Sequence, residues 1–230
     1  MPITHYQAYA ITQIDDCLAA AKSMRDAVGV QDLLGAQTAW LAARGGWERS
    51  EVFAEEYFPD LSASIDAWPN AEAGFHAIEA KLFGAHQIDV APLADALVTN
   101  LSELRDELGK TTMTAQGLLN GSTKLAYEVG DSKANGGESQ FSGTSLDDVR
   151  YNIVGIKAVY LNVFDAALDQ RNAKAATETR ADIVRLQELV KVTDVKKLDQ
   201  EKLRALSEGL ALSLQAAAVD LGLEKPALAD

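Results

Sequence analysis

Gly74-Phe75-His76-Ala77-Ile78-Glu79 is the stretch on which the reading of this chain turns. His76 and Glu79 are three positions apart, so on a helix the imidazole and the carboxylate share one side, a turn apart. Phe75, Ile78 and Leu82 follow the spacing of a core-facing stripe. The His/Glu pair therefore runs along the edge of the buried stripe rather than on the opposite, solvated side. Neutral imidazole and carboxylate are the usual ligands of iron, zinc and manganese. A core histidine beside a surface charge would carry the same spacing, and two ligands alone do not make a metal site. Further ligands must come from elsewhere in the chain.

Around this stretch the sequence reads as helix throughout. Apolar residues recur at helical spacing over 3–28, with Gly29 as a stop, and over a longer segment, 30–58, in which Gly45-Gly46 is a weak point and Pro59 the end. Residues 60–69 read as a Pro-bounded connection. Asn70 is the expected N-cap of the third helix, which runs through His76 and Glu79 to Phe83. Asp89 is expected to cap a fourth, with Pro92 in its first turn and a leucine stripe up to Gly109. Thr111 or Thr112 opens a fifth. Residues 130–143 are polar and Gly-rich, and read as a loop. Thr144 or Ser145 caps a sixth helix to Leu168, with Asp147 and Asp148 in its first turn. A seventh spans 173–192, Asp199 opens an eighth, and the tail after Gly222 is expected to fray. Roughly eight helices with short connections predict an all-α fold of two up-down four-helix bundles, residues 1–110 and 111–230.

Composition narrows the function classes. Of 230 residues, 47% are hydrophobic and the net charge is -13, which disfavours nucleic acid and anionic membrane surfaces as partners. No apolar run approaches the ~20 residues of a membrane span. Cys17 is the one cysteine, so no intrachain disulfide forms. The first residues carry no signal-peptide pattern, which fits a cytosolic chain or the mature part of a secreted one.

Candidate ligands lie close by in sequence. Glu48, Glu51 and Glu55 stack on one helix face and repel one another unless they meet water or a cation. Glu55 and Glu56 read as a solvated acidic face. Burial of Trp47 and Phe53 puts Glu48 or Glu51 at the core margin. Asp66 sits in the connection to the third helix, where a turn-capping role is equally open. If the second and third helices pack antiparallel, Glu48 or Glu51, Asp66, His76 and Glu79 converge. One imidazole with several oxygens suits iron, zinc or manganese.

Three elements together resemble the imelysin-like family: Trp47-Glu48-Arg49-Ser50-Glu51, Ser64-Ile65-Asp66-Ala67 and Gly74-Phe75-His76-Ala77-Ile78-Glu79. Downstream, Asp148, Asn152 and Gly155 match a D-x-x-x-N-x-x-G helix. The resemblance is to the branch of periplasmic iron-uptake proteins, of EfeO and EfeM type. It implies a two-bundle helical fold and a periplasmic location; a monomer that is not an enzyme is expected, with the peptidase that the imelysin name suggests as the alternative. It further implies capture of iron as Fe2+ or Fe3+ (or zinc or another divalent cation) and delivery to an iron permease alongside a haem peroxidase. It implies Glu48, Asp66, His76 and Glu79 as metal ligands, with Glu51, Asp148 and Asn152 lining the cleft. Two features depart from the pattern. The sequence shown carries no cupredoxin-like stretch ahead of its helices, and the expectation is therefore the shorter EfeM type. A family S-H-x-D element reads Ser142-Gly143-Thr144-Ser145 here, without its histidine.

Two other functions compete. His76-x-x-Glu79 resembles part of an inverted zinc-peptidase motif, but Ala80 stands where that motif needs a second histidine. A metal-bridged module for polysaccharide or a partner protein is the other, although the net charge opposes direct binding of a polyanion.

Overall fold

The computed structural model describes residues 2–67, 72–133 and 137–228. The architecture is the all-α one of up-down helix bundles, with no strand among the described residues. Helix α1 (Pro2–Gly29) buries Tyr6, Ala10, Ile14, Cys17, Ala21, Met24 and Val28, one residue per turn, as its periodicity requires. It packs against α2 (Leu33–Glu48) and α6 (Ala91–Lys110).

The expected helix over 30–58 is in fact two, α2 and α3 (Glu51–Tyr57), parted at Arg49-Ser50 rather than at Gly45-Gly46. The two glycines stay helical because neighbours press on them. A Cβ on Gly46 would come 2.8 Å from Cys17 Cβ on α1, and one on Gly45 would come 3.0 Å from the Tyr151 ring. These glycines serve close approach, not bending. At the actual break the Ser50 N–H donates to Trp47 O at 2.7 Å and its hydroxyl to Gly46 O at 2.9 Å.

Part of the expected 60–69 connection is also helical. Pro59 opens α4 (Pro59–Ile65) in the first turn, where a missing N–H costs nothing. The expected Asn70 cap lies outside the described residues. The position that precedes α5 (Gly74–Glu79) is Ala73. Gly74 has φ +70°, and a Cβ there would strike the Ile65 carbonyl, so the entry to α5 needs glycine. The helix runs on through a π-helical turn, Ala80–Gly84. Val90, not Asp89, occupies the N-cap of α6, and the Asp89 carboxylate instead pairs with Lys81 at 3.6 Å.

Helix α7 (Ala115–Asp131) is capped by Thr114, whose hydroxyl accepts from the Gly117 N–H, and not by Thr111 or Thr112. Helix α8 (Ser145–Val159) passes through a π turn (Tyr160–Phe164) into α9 (Asp165–Arg171), beyond the expected end at Leu168. Asn172 caps α10 (Ala173–Leu189) and Asp199 caps α11 (Gln200–Leu221), the latter as its sequence predicts.

The described part of the tail, residues 223–228, is tied down instead of frayed. Gln116 and Glu224 exchange two hydrogen bonds at 2.8 and 3.0 Å, and Gln215 Nε2 donates to Pro226 O at 2.7 Å.

Helices α7, α8, α10 and α11 pack among themselves. They meet the earlier helices chiefly where α2 and α3 cross α7 and α8. Two glycines let that seam close: a Cβ on Gly121 of α7 would strike Val52 O, and one on Gly155 of α8 would come 2.7 Å from Arg49 O. Gly155 is thus the residue that admits the Arg49 carbonyl at the α2–α3 break.

Candidate metal centre

The site lies along this seam, and its centre is a guanidinium. Arg44, in the interior of α2, is 1% exposed. It pairs with Glu48 one turn on, with Asp66, with Glu138 at 3.2 Å and with Asp148 at 3.6 Å. Its carbon lies 5.6 Å from the centre of the Phe75 ring. A single buried cation thus gathers carboxylates from four separate segments. Such burial is tolerated only when the charge is paired this fully.

Asp66 follows α4 directly. The Trp47 indole N–H donates to its Oδ2 at 2.6 Å, and its Oδ1 faces both Arg44 and His76 Nε2, the latter at 3.1 Å. Burial alone would raise the Asp66 pKa, but Arg44 and His76 outweigh it and hold the carboxyl far below its ordinary value. For His76, burial favours the neutral ring. The hydrogen bonds to Asp66 and Glu79 outweigh it and push the pKa up to about 9.

Asp66, His76 and Glu138 each offer one ligand atom, and these atoms all lie within 4.8 Å of one another. Metal–ligand bonds of about 2.0–2.2 Å would draw such a set together with side-chain adjustment alone. The three line a cavity of about 140 Å³ together with Glu51, Glu55 and Lys133. That is space for an ion and a few waters, at about 30 Å³ per water. Glu55, expected on a solvated face, is half-buried and lines this cavity and an adjoining one with Glu51 and Asp66.

The other expected ligands stand behind this trio. Glu48 is fully buried, paired with Arg44, and accepts from Asn152 Nδ2 at 2.7 Å. The same Asn152 nitrogen donates to Glu51 Oε2 at 2.8 Å. Asn152 and Asp148 are 0% and 1% exposed, so they back the carboxylates rather than line the open cleft. Glu79 uses Oε1 to accept from the Phe141 N–H, the Ser142 N–H and the Ser142 hydroxyl at 3.1, 2.9 and 2.8 Å. Its Oε2 lies 3.7 Å from His76 Nδ1. The family loop that lacks its histidine here is thus held by Glu79 through Ser142.

Sequence reasoning missed three participants: Arg44, Lys133 and Glu138. Lys133 Nζ donates to both Glu51 oxygens at 2.8 Å and to Glu138 Oε1 at 2.7 Å. Arg44 was detectable in principle. It lies one turn before Glu48, on the helix face of Trp40 and Trp47. Lys133 and Glu138 sit within the polar, Gly-rich stretch, where charge reads as solvation.

The cluster holds more negative charge than its cations neutralise. Burial lifts Glu51 to about 6 against the pull of Lys133, and Asp148 to about 6 against that of Arg44. Burial and the neighbouring Glu55 and Glu51 raise Glu128, on the cavity wall, to about 8. Carboxylates crowded until they hold protons near neutrality are a ready seat for a cation.

The imelysin family model, of peptidase class M75, matches residues 2–221. The chain belongs to the imelysin family. This imelysin-family chain is 29% identical over 181 residues to the iron uptake system component EfeM of Pseudomonas syringae pv. syringae, covering 74% of this chain and 63% of that protein. It is 32% identical over 168 residues to the iron uptake system component EfeO of Yersinia pseudotuberculosis, covering 69% and 45%. It therefore spans less than two thirds of the length of these curated relatives. Its fold is also that of an iron-regulated protein A precursor from Parabacteroides distasonis, with TM-score 0.75 at 16% identity over 94% of both chains. No helix among the described residues of this imelysin-family chain is long and apolar enough to cross a membrane.

Proposed function

We propose that this imelysin-family chain is the iron-binding component of a periplasmic uptake system, taking up one iron ion and passing it to a membrane permease. The observation that carries the reading is the convergence of Asp66, His76 and Glu138 within 4.8 Å in a small, acidic cleft. Curated relatives named as iron uptake components support the choice of ion. In this reading Asp66, His76 Nε2 and Glu138 contact the iron, with waters completing the shell. Glu79 holds the ring through Nδ1, as the carboxylate partner of a metal-bound imidazole does. Glu48 and Glu51 add charge and reach from behind. Residues 1–110 and 111–230 each supply part of the site, Asp66 and His76 from the first and Glu138 from the second. The chain acts as a monomer, and the haem peroxidase of the system is its other partner.

Iron, rather than a hydrolytic zinc, suits this donor set. His76 is the one histidine lining the cleft, while His5 and His86 are both exposed. A cleft of about 140 Å³ has room for an ion with a few waters. The experiment is titration of the chain with Fe2+ under anaerobic conditions. His76→Ala and Glu138→Gln are each expected to weaken binding by about tenfold to a hundredfold while helicity by circular dichroism stays unchanged. Unaltered affinity in both variants removes the reading.

A further inference from the structure

Lys133 is a cation that already occupies part of the cleft. It lies just beyond the end of α7, where its N–H donates to Glu128 O at 3.2 Å, and it is 7% exposed. Its ammonium spends its donors on Glu51 and Glu138 and lies 3.7 Å from Glu48. Three carboxylates around one centre is the arrangement a hard divalent ion takes. Buried ion pairs contribute little to stability compared with apolar packing, so stability alone does not account for a lysine here.

Resting on the iron reading above, we propose that Lys133 is a tethered counter-cation that competes with the incoming ion for Glu138 and thereby sets how readily the ion leaves. The Glu138 carboxylate belongs to both sets: it bonds the ammonium at 2.7 Å and is one of the three convergent ligands. An ion that takes Glu138 displaces the ammonium, which has somewhere to go. It keeps both oxygens of Glu51 at 2.8 Å, and four methylenes let it pivot about that anchor. When the ion leaves, the ammonium returns and neutralises the vacated carboxylate. Arg44 cannot act in this way. It also touches Glu138, but it is pinned by three further carboxylates inside the core. A carrier that must surrender its cargo benefits from such an internal competitor, because affinity without release gives no transport.

The test is anaerobic Fe2+ titration, with loss of iron to a competing chelator followed in time, on the natural chain and on Lys133→Met, Lys133→Gln and Lys124→Met. Lys133→Gln keeps N–H donors for Glu51 and secures a folded variant if the methionine form does not fold. Lys124 is a half-buried cation on the adjoining cavity, 3.4 Å from Glu55, so its loss removes the same charge without freeing Glu138. The Lys133 variants are expected to bind about tenfold tighter or more and to lose iron correspondingly more slowly, with Lys124→Met near the natural value. Folded Lys133 variants that bind no tighter than the natural chain overturn the proposal. So does a Lys124→Met gain as large as theirs, which would make the effect one of general field. A natural chain that binds no Fe2+, or a His76→Ala variant that binds as well, overturns the iron reading itself.

Discussion

Glu79 Oε2 lies 3.7 Å from His76 Nδ1, while Glu79 Oε1 takes three hydrogen bonds from Phe141 and Ser142. One carboxylate thus joins the imidazole of the first half to the turn that leads into α8. The H-x-x-E spacing places the two groups a turn apart, and on the proposed reading Glu79 orients the imidazole that holds the ion. Glu79→Gln is expected to weaken cation binding about tenfold to a hundredfold with the site still formed, since the amide oxygen can still accept from the turn. Glu79→Ala would in addition lower stability by about 1–3 kcal/mol, because buried donors lose their acceptor. Calorimetric titration beside urea unfolding separates the two variants. Equal effects in both would contradict the orienting role.

On the proposed reading, proton and cation compete at His76. Burial disfavours the charged ring, but the bonds to Asp66 and Glu79 win and place its pKa at about 9. The cation needs the neutral ring, so affinity for Mn2+ is expected to climb from pH 6 towards 9 and then level. Stability of the cation-free chain runs the other way. A raised folded-state pKa contributes stability that is fully present below the unfolded value near 6.5 and is lost as pH rises through about 9. Thermal unfolding of the cation-free chain and of His76→Gln over this range checks the sign. A flat affinity profile from pH 6 to 9 would contradict the assignment.

Much of the fold was legible in the sequence, and little of the site's electrostatics. Asp199, followed by a leucine stripe, specified α11 because capping and periodicity are local. The α2–α3 break was not legible. Gly45 and Gly46 look like weak points until α1 and Tyr151 are seen pressing on them, and those contacts are non-local. Asp66 and His76 were read correctly as neighbours, since a short connection forces their proximity. Glu138 comes from 62 residues beyond His76 in sequence, and nothing local predicts that it meets Arg44. The resemblance implied Glu48 as a ligand, but nothing in the sequence pointed to the buried ion pair it makes with Arg44.

Arg44→Met removes the cation that several buried carboxylates share. Breaking a buried pair from one side costs about 3–5 kcal/mol, so this variant is expected to unfold at much lower urea than the natural chain. An unchanged midpoint would show that the carboxylates relax to water instead.

Gly121→Ala tests the seam itself. The added methyl has no room against Val52 O, so α7 must shift from α3, at about 1–3 kcal/mol. Because Lys133 follows α7 and Glu51 opens α3, cation binding is expected to change with stability. Gly209→Ala, inside α11 where a Cβ meets nothing, is the control, expected to raise stability by about 0.5–1 kcal/mol and leave cation binding unchanged.

Cys17 reports on α1 packing. Burial pushes its thiol far above the ordinary range, so a maleimide is expected to label it only after denaturation. Rapid labelling of the native chain would contradict the packing of α1 on α2.

The central claim is that one iron ion sits among Asp66, His76 and Glu138. Anomalous diffraction at the iron edge from crystals of the iron-loaded chain tests it most directly. The expected result is a single strong peak about 2.0–2.3 Å from His76 Nε2 and from oxygens of Asp66 and Glu138. A peak outside this cleft, or one whose shell omits His76, would contradict it.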